Sequence, residues 1–354
     1  MRSSILCCVF VTLLGCPTVV PEDNNYCAAD PLGVIEVDEG EPQGTCPFDR
    51  GPPCDADYLV LPDKQPGGAP EVMDDLAFED MIFSMRGQIL QKETAPLSSA
   101  ALKDRVVDGA EMGWMLDGFE ERELRVSIVE SSDAPGARFR RWQLEDPLVG
   151  KIRGYTALPD GEGPFPAIVI AHGHTQNGQE WLDEYDGRRL ADLGYAVVAP
   201  TFRINDGDQD ESRVTEHLLR RGMTFAGVRV YEQLLALKYA AWMPEVDGCR
   251  IGLLGRSGGS ITGALTARIT LGFTAFVSDL AGEYFLQMPD GVLLDETAPK
   301  LYVLSELIND TQSNHFPILR VGYGYVTEDE QQLNAWGIIF DFLDENVMDA
   351  DPGR

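Results

Sequence analysis

Basic side chains are scarce in this chain. Its 354 residues carry 28 Lys and Arg against 58 Asp and Glu, a net charge of −30. A negative field of that size repels phosphate backbones and anionic head groups, which argues against nucleic acid and against electrostatic membrane binding. The excess reads as a surface adapted to solubility or salt, ahead of a cation-binding role. Histidine is also sparse, with four residues in all. The Cys-bearing segment from Cys27 to Cys54 contains no His and no C-x-x-C pair, so it lacks the ligand spacing of a zinc site. The apolar run Ile5 to Leu14 is too short to span a bilayer comfortably. No internal repeat and no low-complexity tract interrupts the chain. No metal site is expected.

What is present begins with an export signal. Arg2 supplies a positive start, Ile5 to Leu14 an apolar stretch, and Leu13-Leu14-Gly15-Cys16 its end. This ending resembles the lipobox of bacterial lipoproteins. The resemblance implies removal of residues 1–15, a lipid on Cys16, and an exported chain anchored on the periplasmic or cell-surface side of a membrane. An ordinary secretory signal is the alternative. Export puts Cys27, Cys46, Cys54 and Cys249 in an oxidising compartment, where four cysteines allow three pairings. Residues 16–70 are rich in Pro, Gly, Asp and Glu without periodicity, and read as a tether to a domain over 71–354.

In that domain, helical spacing marks Phe78 to Ile89 and Ala101 to Met115. Alternating runs at Leu124 to Val129 and Phe139 to Leu144 read as antiparallel edge strands, and Gly150 to Leu158 as a third strand. From Pro166 the pattern changes. Ala167 to Ala171 and Tyr195 to Ala199 are continuous apolar runs, as in strands covered on both faces of a parallel sheet, with a helix over Glu180 to Leu193 between them. A long helical region follows, with Val230, Leu234, Leu237 and Ala241 on one stripe. The apolar run Ile251 to Leu254 then leads into Gly255-Arg-Ser-Gly-Gly259 and a small-residue helix. Phe273 to Val277 and Phe316 to Tyr323 read as further strands, Leu301 to Ile308 as helix or loop, and a last helix shows Leu333, Trp336, Phe340 and Leu343 on one face. Strands and helices alternating at this spacing require right-handed crossovers and a mostly parallel sheet.

Gly255-Arg-Ser-Gly-Gly259 matches G-x-S-x-G between a strand and a helix, the setting in which a strained turn exposes a serine hydroxyl above a sheet. Together with Pro166 to Thr175, Leu190 to Pro200 and Glu245 to Gly252, it resembles the α/β-hydrolase fold in its acetyl xylan esterase and dienelactone hydrolase-like branch. The likeness covers roughly Leu76 to Leu343. It implies helices on both faces of the sheet, antiparallel strands at its N-terminal edge, and a cofactor-free serine hydrolase of small-molecule carboxylic esters, acetylated carbohydrate among them.

Ser257 is then the nucleophile, and the backbone N–H of Gly258 one oxyanion donor, with His174 or Thr175 supplying the other. His172 precedes the nucleophile and reads as a residue that shapes the oxyanion loop, and His217 as a surface residue. The only His after Ser257 is His315. The place where the family usually presents its His holds Gly322-Tyr-Gly-Tyr325. His315 is the candidate base, with a structural role as its alternative. Asp279 is the first candidate acid, followed by Asp310 and Asp329. A hydrolase fold that has lost its base and binds a ligand or partner is the rival reading.

Overall fold

The computed structural model describes residues 34–36, 73–77, 104, 106–107, 112–173, 176–184, 187–203, 211–279, 316–321 and 330–350. Nine strands form one sheet in the order β1-β2-β3-β4-β6-β5-β7-β8-β9. They are β1 (Val34–Glu36), β2 (Leu124–Ala134), β3 (Ala137–Asp146), β4 (Gly150–Pro159), β5 (Phe165–Ala171), β6 (Ala196–Thr201), β7 (Val246–Arg256), β8 (Ala275–Asp279) and β9 (Ile318–Val321). The expected edge strands β2 and β3 pair antiparallel, and the third expected strand, β4, pairs antiparallel with β3 and with β6, Tyr155 opposite Ala199. From β6 to β9 every pairing is parallel.

The helices are α1 (Gly113–Leu116), α2 (Gly178–Glu184), α3 (Gly187–Asp192), α4 (Glu211–Arg220), α5 (Phe225–Trp242), α6 (Gly258–Ile269) and α7 (Glu330–Leu343), the last running into a π-helical turn at Asp344–Met348. Strand alternation sorts them onto two faces. Ala167, Val169, Ile251 and Leu253 point into one core with α5 and α6, while Ile168, Ile170, Leu254 and Val277 point into the other with α2, α3 and α7. Two covered faces explain why β5 reads as unbroken apolar sequence rather than as alternation.

Helix α5 is buried from Phe225 to Ala240, so its polar residues need internal partners. Glu232 pairs with buried Arg203. Lys238 Nζ donates to the carbonyls of Phe119, Glu120 and Arg122. Arg229 stands 4.7 Å from the Phe225 ring centre.

Three expectations change. The helix expected over Glu180 to Leu193 is two, α2 and α3, the second opened by Gly187, a poor helix former. The strand expected from Phe316 begins at Ile318, and positions 322 and 323 lie outside the described residues. The segment read as a tether contributes β1, with Val34 opposite Leu124. An outer strand offers unpaired backbone groups, and the β-branched Val34-Ile35 suits an extended partner. Cys249 on β7 is held in a disulfide, and the chain's other cysteines all stand at position 54 or before. The helical spacings over 78–89 and 301–308 lie outside the described residues.

Candidate active site

Chain order turns about β5, with β6 laid on one side of it and β7 on the other. In open α/β sheets the carboxyl ends of strands at such a reversal are where ligands collect. Ser257 stands there, between β7 and the first turn of α6. Its backbone has φ 51° and ψ −124°, and it is the one non-glycine residue with positive φ among the described residues. That conformation is costly for a residue with a Cβ and persists because its surroundings fix it. Ser257 N–H donates to Asp279 O at 2.9 Å, and its carbonyl accepts from Ser260 N at 2.9 Å. The side chain of Ser257 is exposed.

The glycines of the motif are there for space. A Cβ on Gly255 would stand 2.6 Å from Gly259 O, and one on Gly259 1.8 Å from Ala171 O. Backbone this close to backbone cannot yield, so α6 enters directly against the end of β5. Gly258 opens α6, and its N–H belongs to the helix-start donors that lack an intrahelical acceptor. With the positive end of the helix dipole it faces whatever anion forms at Ser257.

The loop after β5 is braced from below. His172 is fully buried and accepts Phe202 N–H at Nε2 (2.9 Å), which leaves the proton on Nδ1 to be donated to Gly173 O at 2.8 Å. Burial, then the nearby Arg229 charge, pushes its pKa down to about 3. A neutral imidazole engaged at both nitrogens holds a loop and has no capacity left as a base. Gly173 N–H donates to Gln176 Oε1 at 2.8 Å, and a Cβ at Gly173 would stand 3.1 Å from Ser257 Cβ. These contacts bring the end of β5 against the elbow.

Asp279 ends β8 opposite Arg256, the residue before Ser257. Its side chain is 4% exposed, its Oδ1 has no hydrogen-bond partner among the described residues, and its Oδ2 lies 3.8 Å from Arg256 Nε. Burial pushes its pKa up to about 7, against the opposing pull of Arg256. Arg256 was not singled out in the sequence. It fills the variable place ahead of the serine, and its register with Asp279 could not be read before strand order was known.

Of the other expected site residues, His174, Thr175, Asp310, His315, Asp329 and Cys16 lie outside the described residues. His217 is exposed on α4. Ser257, Gly258 and Asp279 are therefore the expected residues that the described fold brings together.

Comparison with known proteins agrees with this geometry. Residues 152–280 match the Dienelactone hydrolase family. Human mitochondrial acyl-coenzyme A thioesterase 2 is 36% identical over 143 residues, covering 40% of this chain and 25% of that enzyme. Mouse acyl-coenzyme A thioesterase 3 is 29% identical over 208 residues, covering 56% and 41%. The chain thus spans well under half the length of these relatives. Among solved structures, the acetyl xylan esterase from Paenibacillus sp. R4 superposes with TM-score 0.51 at 13% identity, covering 73% of this chain and 99% of that one. A putative acetyl xylan esterase from Bacteroides fragilis NCTC 9343 gives TM-score 0.50 at 16% identity, covering 71% and 76%. The chain therefore has the α/β-hydrolase fold, and its residues 152–280 match the dienelactone hydrolase family.

Proposed function

We propose that the protein is a serine hydrolase of carboxylic esters or thioesters, exported and held to a membrane by a lipid on Cys16. One observation carries the reading: Ser257 sits in a strained turn that leaves its side chain exposed at the mouth of a helix N-terminus. Attack by its hydroxyl on an acyl carbon would place the oxyanion at Gly258 N–H, with a second donor from His174 or Thr175. The base that takes the hydroxyl proton is assigned to His315, and Asp279 is the nearby acid. The acyl-coenzyme A thioesterases and acetyl xylan esterases that this chain resembles support an acyl-transfer reaction with water as acceptor, the acyl group and leaving group differing between them.

The test is labelling of the folded chain with a fluorophosphonate probe. Labelling that disappears in Ser257→Ala is the expected result, and an unlabelled wild-type chain would overturn the reading. Fatty-acid labelling that is lost in Cys16→Ser checks the anchor.

A second reading, a hydrolase fold that binds without turnover, is favoured by the register of β9. Phe276 N–H donates to Pro317 O, and the strand draws level with Asp279 only at Val321. Four residues of strand cover about 13 Å, so Pro317 stands that far below the edge that presents Ser257. Measurable hydrolysis of p-nitrophenyl acetate that falls to background in His315→Ala would exclude this second reading.

A further inference from the structure

The outer end of the sheet carries a cavity of about 420 Å3 that the nucleophile elbow does not use. Between β3, on its floor, and β7, which ends at the elbow, lie β4, β6 and β5. Four strand spacings separate the two by about 19 Å.

The floor is built by register. Glu130 of β2 stands opposite Arg141 of β3, and Arg141 opposite Tyr155 of β4. Phe139, two residues before Arg141, shares that face. At the start of α3, Arg188 lies over the Phe139 ring, 4.0 Å from its centre, and pairs with Asp183 of α2.

The chemistry of the lining selects a ligand class. Each guanidinium carries five N–H donors in a planar fork that matches a carboxylate or phosphate. Arg141 meets Glu130 at 3.6 Å, and the Glu130 side chain is 64% exposed. The Arg188–Asp183 pair is also solvent-exposed; solvated pairs of this kind are weak, so a ligand anion can replace Glu130 at Arg141 and Asp183 at Arg188. Burial raises the pKa of the Tyr155 phenol, which keeps its proton and can donate it in a hydrogen bond. The Phe139 ring is covered by Arg188, which fixes that guanidinium above the floor.

We propose that this cavity binds a small organic anion, its carboxylate or phosphate taken by Arg141 and Arg188 in place of Glu130 and Asp183, beside the Tyr155 hydroxyl. The site is separate from Ser257 and does not depend on the hydrolase reading.

Titration calorimetry of the full chain with benzoate, phenyl phosphate and the neutral benzamide tests it. At least one anion is expected to saturate and to bind about tenfold or more tightly than benzamide, the better anion telling carboxylate from phosphate. Arg141→Gln and Arg188→Gln are each expected to weaken that anion about fivefold or more, while Ser257→Ala leaves it unchanged. Arg188 is half-exposed at a helix start, so Arg188→Gln decides the matter if Arg141→Gln does not fold by circular dichroism. Absence of saturable heat with both anions, equal affinity for benzamide, or affinity unmoved by Arg188→Gln would overturn the proposal.

Discussion

At the scale of single residues, Ser257 and Asp279 each carry a cost that function can explain. A serine at φ 51° is strained by its Cβ. Ser257→Gly should therefore raise stability by about 1 kcal/mol, net of the extra freedom glycine has when unfolded. Ser257→Ala keeps the Cβ and should not raise it, though both variants lose the nucleophile. Urea unfolding of the two side by side checks this contrast. Asp279 gives a pH signature. Burial holds its folded-state pKa at about 7, above the roughly 3.9 of an unfolded Asp. The folded protein thus binds this proton more tightly than the unfolded chain. The stability linked to Asp279 is fully present below about pH 4 and is lost as pH rises through about 7, by at most about 4 kcal/mol. Asp279→Asn should remove that dependence, so unfolding curves of the two proteins should diverge between pH 4 and pH 8. The serine was legible in the sequence because its turn is encoded within five neighbouring residues. The state of Asp279 was not, since its partner Arg256 is set by strand register across 23 positions.

At the scale of elements, α5 tests how a fully buried helix keeps charged residues. Arg203 and Glu232 are 2% and 1% exposed, and Arg203 also donates to Val149 O at 2.7 Å. Removing one partner leaves an uncompensated charge inside, so Glu232→Ala should cost about 3–5 kcal/mol. The paired change Arg203→Met with Glu232→Leu should recover most of that loss, because two apolar side chains need no partner. Thermal unfolding of wild type, single and double variants reads both effects. The strands of the parallel half were legible as continuous apolar runs, and the edge strands as alternating ones, because each pattern reports how many faces are covered. The division of α2 from α3 was less visible, since apolar spacing continues across it. β1 was hidden in a segment whose composition is that of a linker, and only the free edge of β2 recruits it.

At the scale of the whole molecule, charge dominates. A surplus of 30 negative charges repels itself in the folded state, and salt screens that repulsion over about 10 Å at 0.1 M. The midpoint of thermal unfolding should rise between 0.05 and 0.5 M NaCl, about the range in which the screening length falls severalfold. Differential scanning calorimetry across that series checks it, and a midpoint that falls would mean that specific ion pairs outweigh the net field. The sequence by itself determined the succession of strands and helices, the Ser257 turn and the sign of the surface field. Those follow from local periodicity, from steric demands within a few residues, and from composition. Tertiary structure alone decided the strand order about β5, the edge position of β1, the buried carboxylate of Asp279 beside Arg256, and the row Glu130, Arg141 and Tyr155 under the cavity at the outer end of the sheet. Each of these depends on residues far apart in the chain that become neighbours only when hydrogen-bonded register sets them opposite one another.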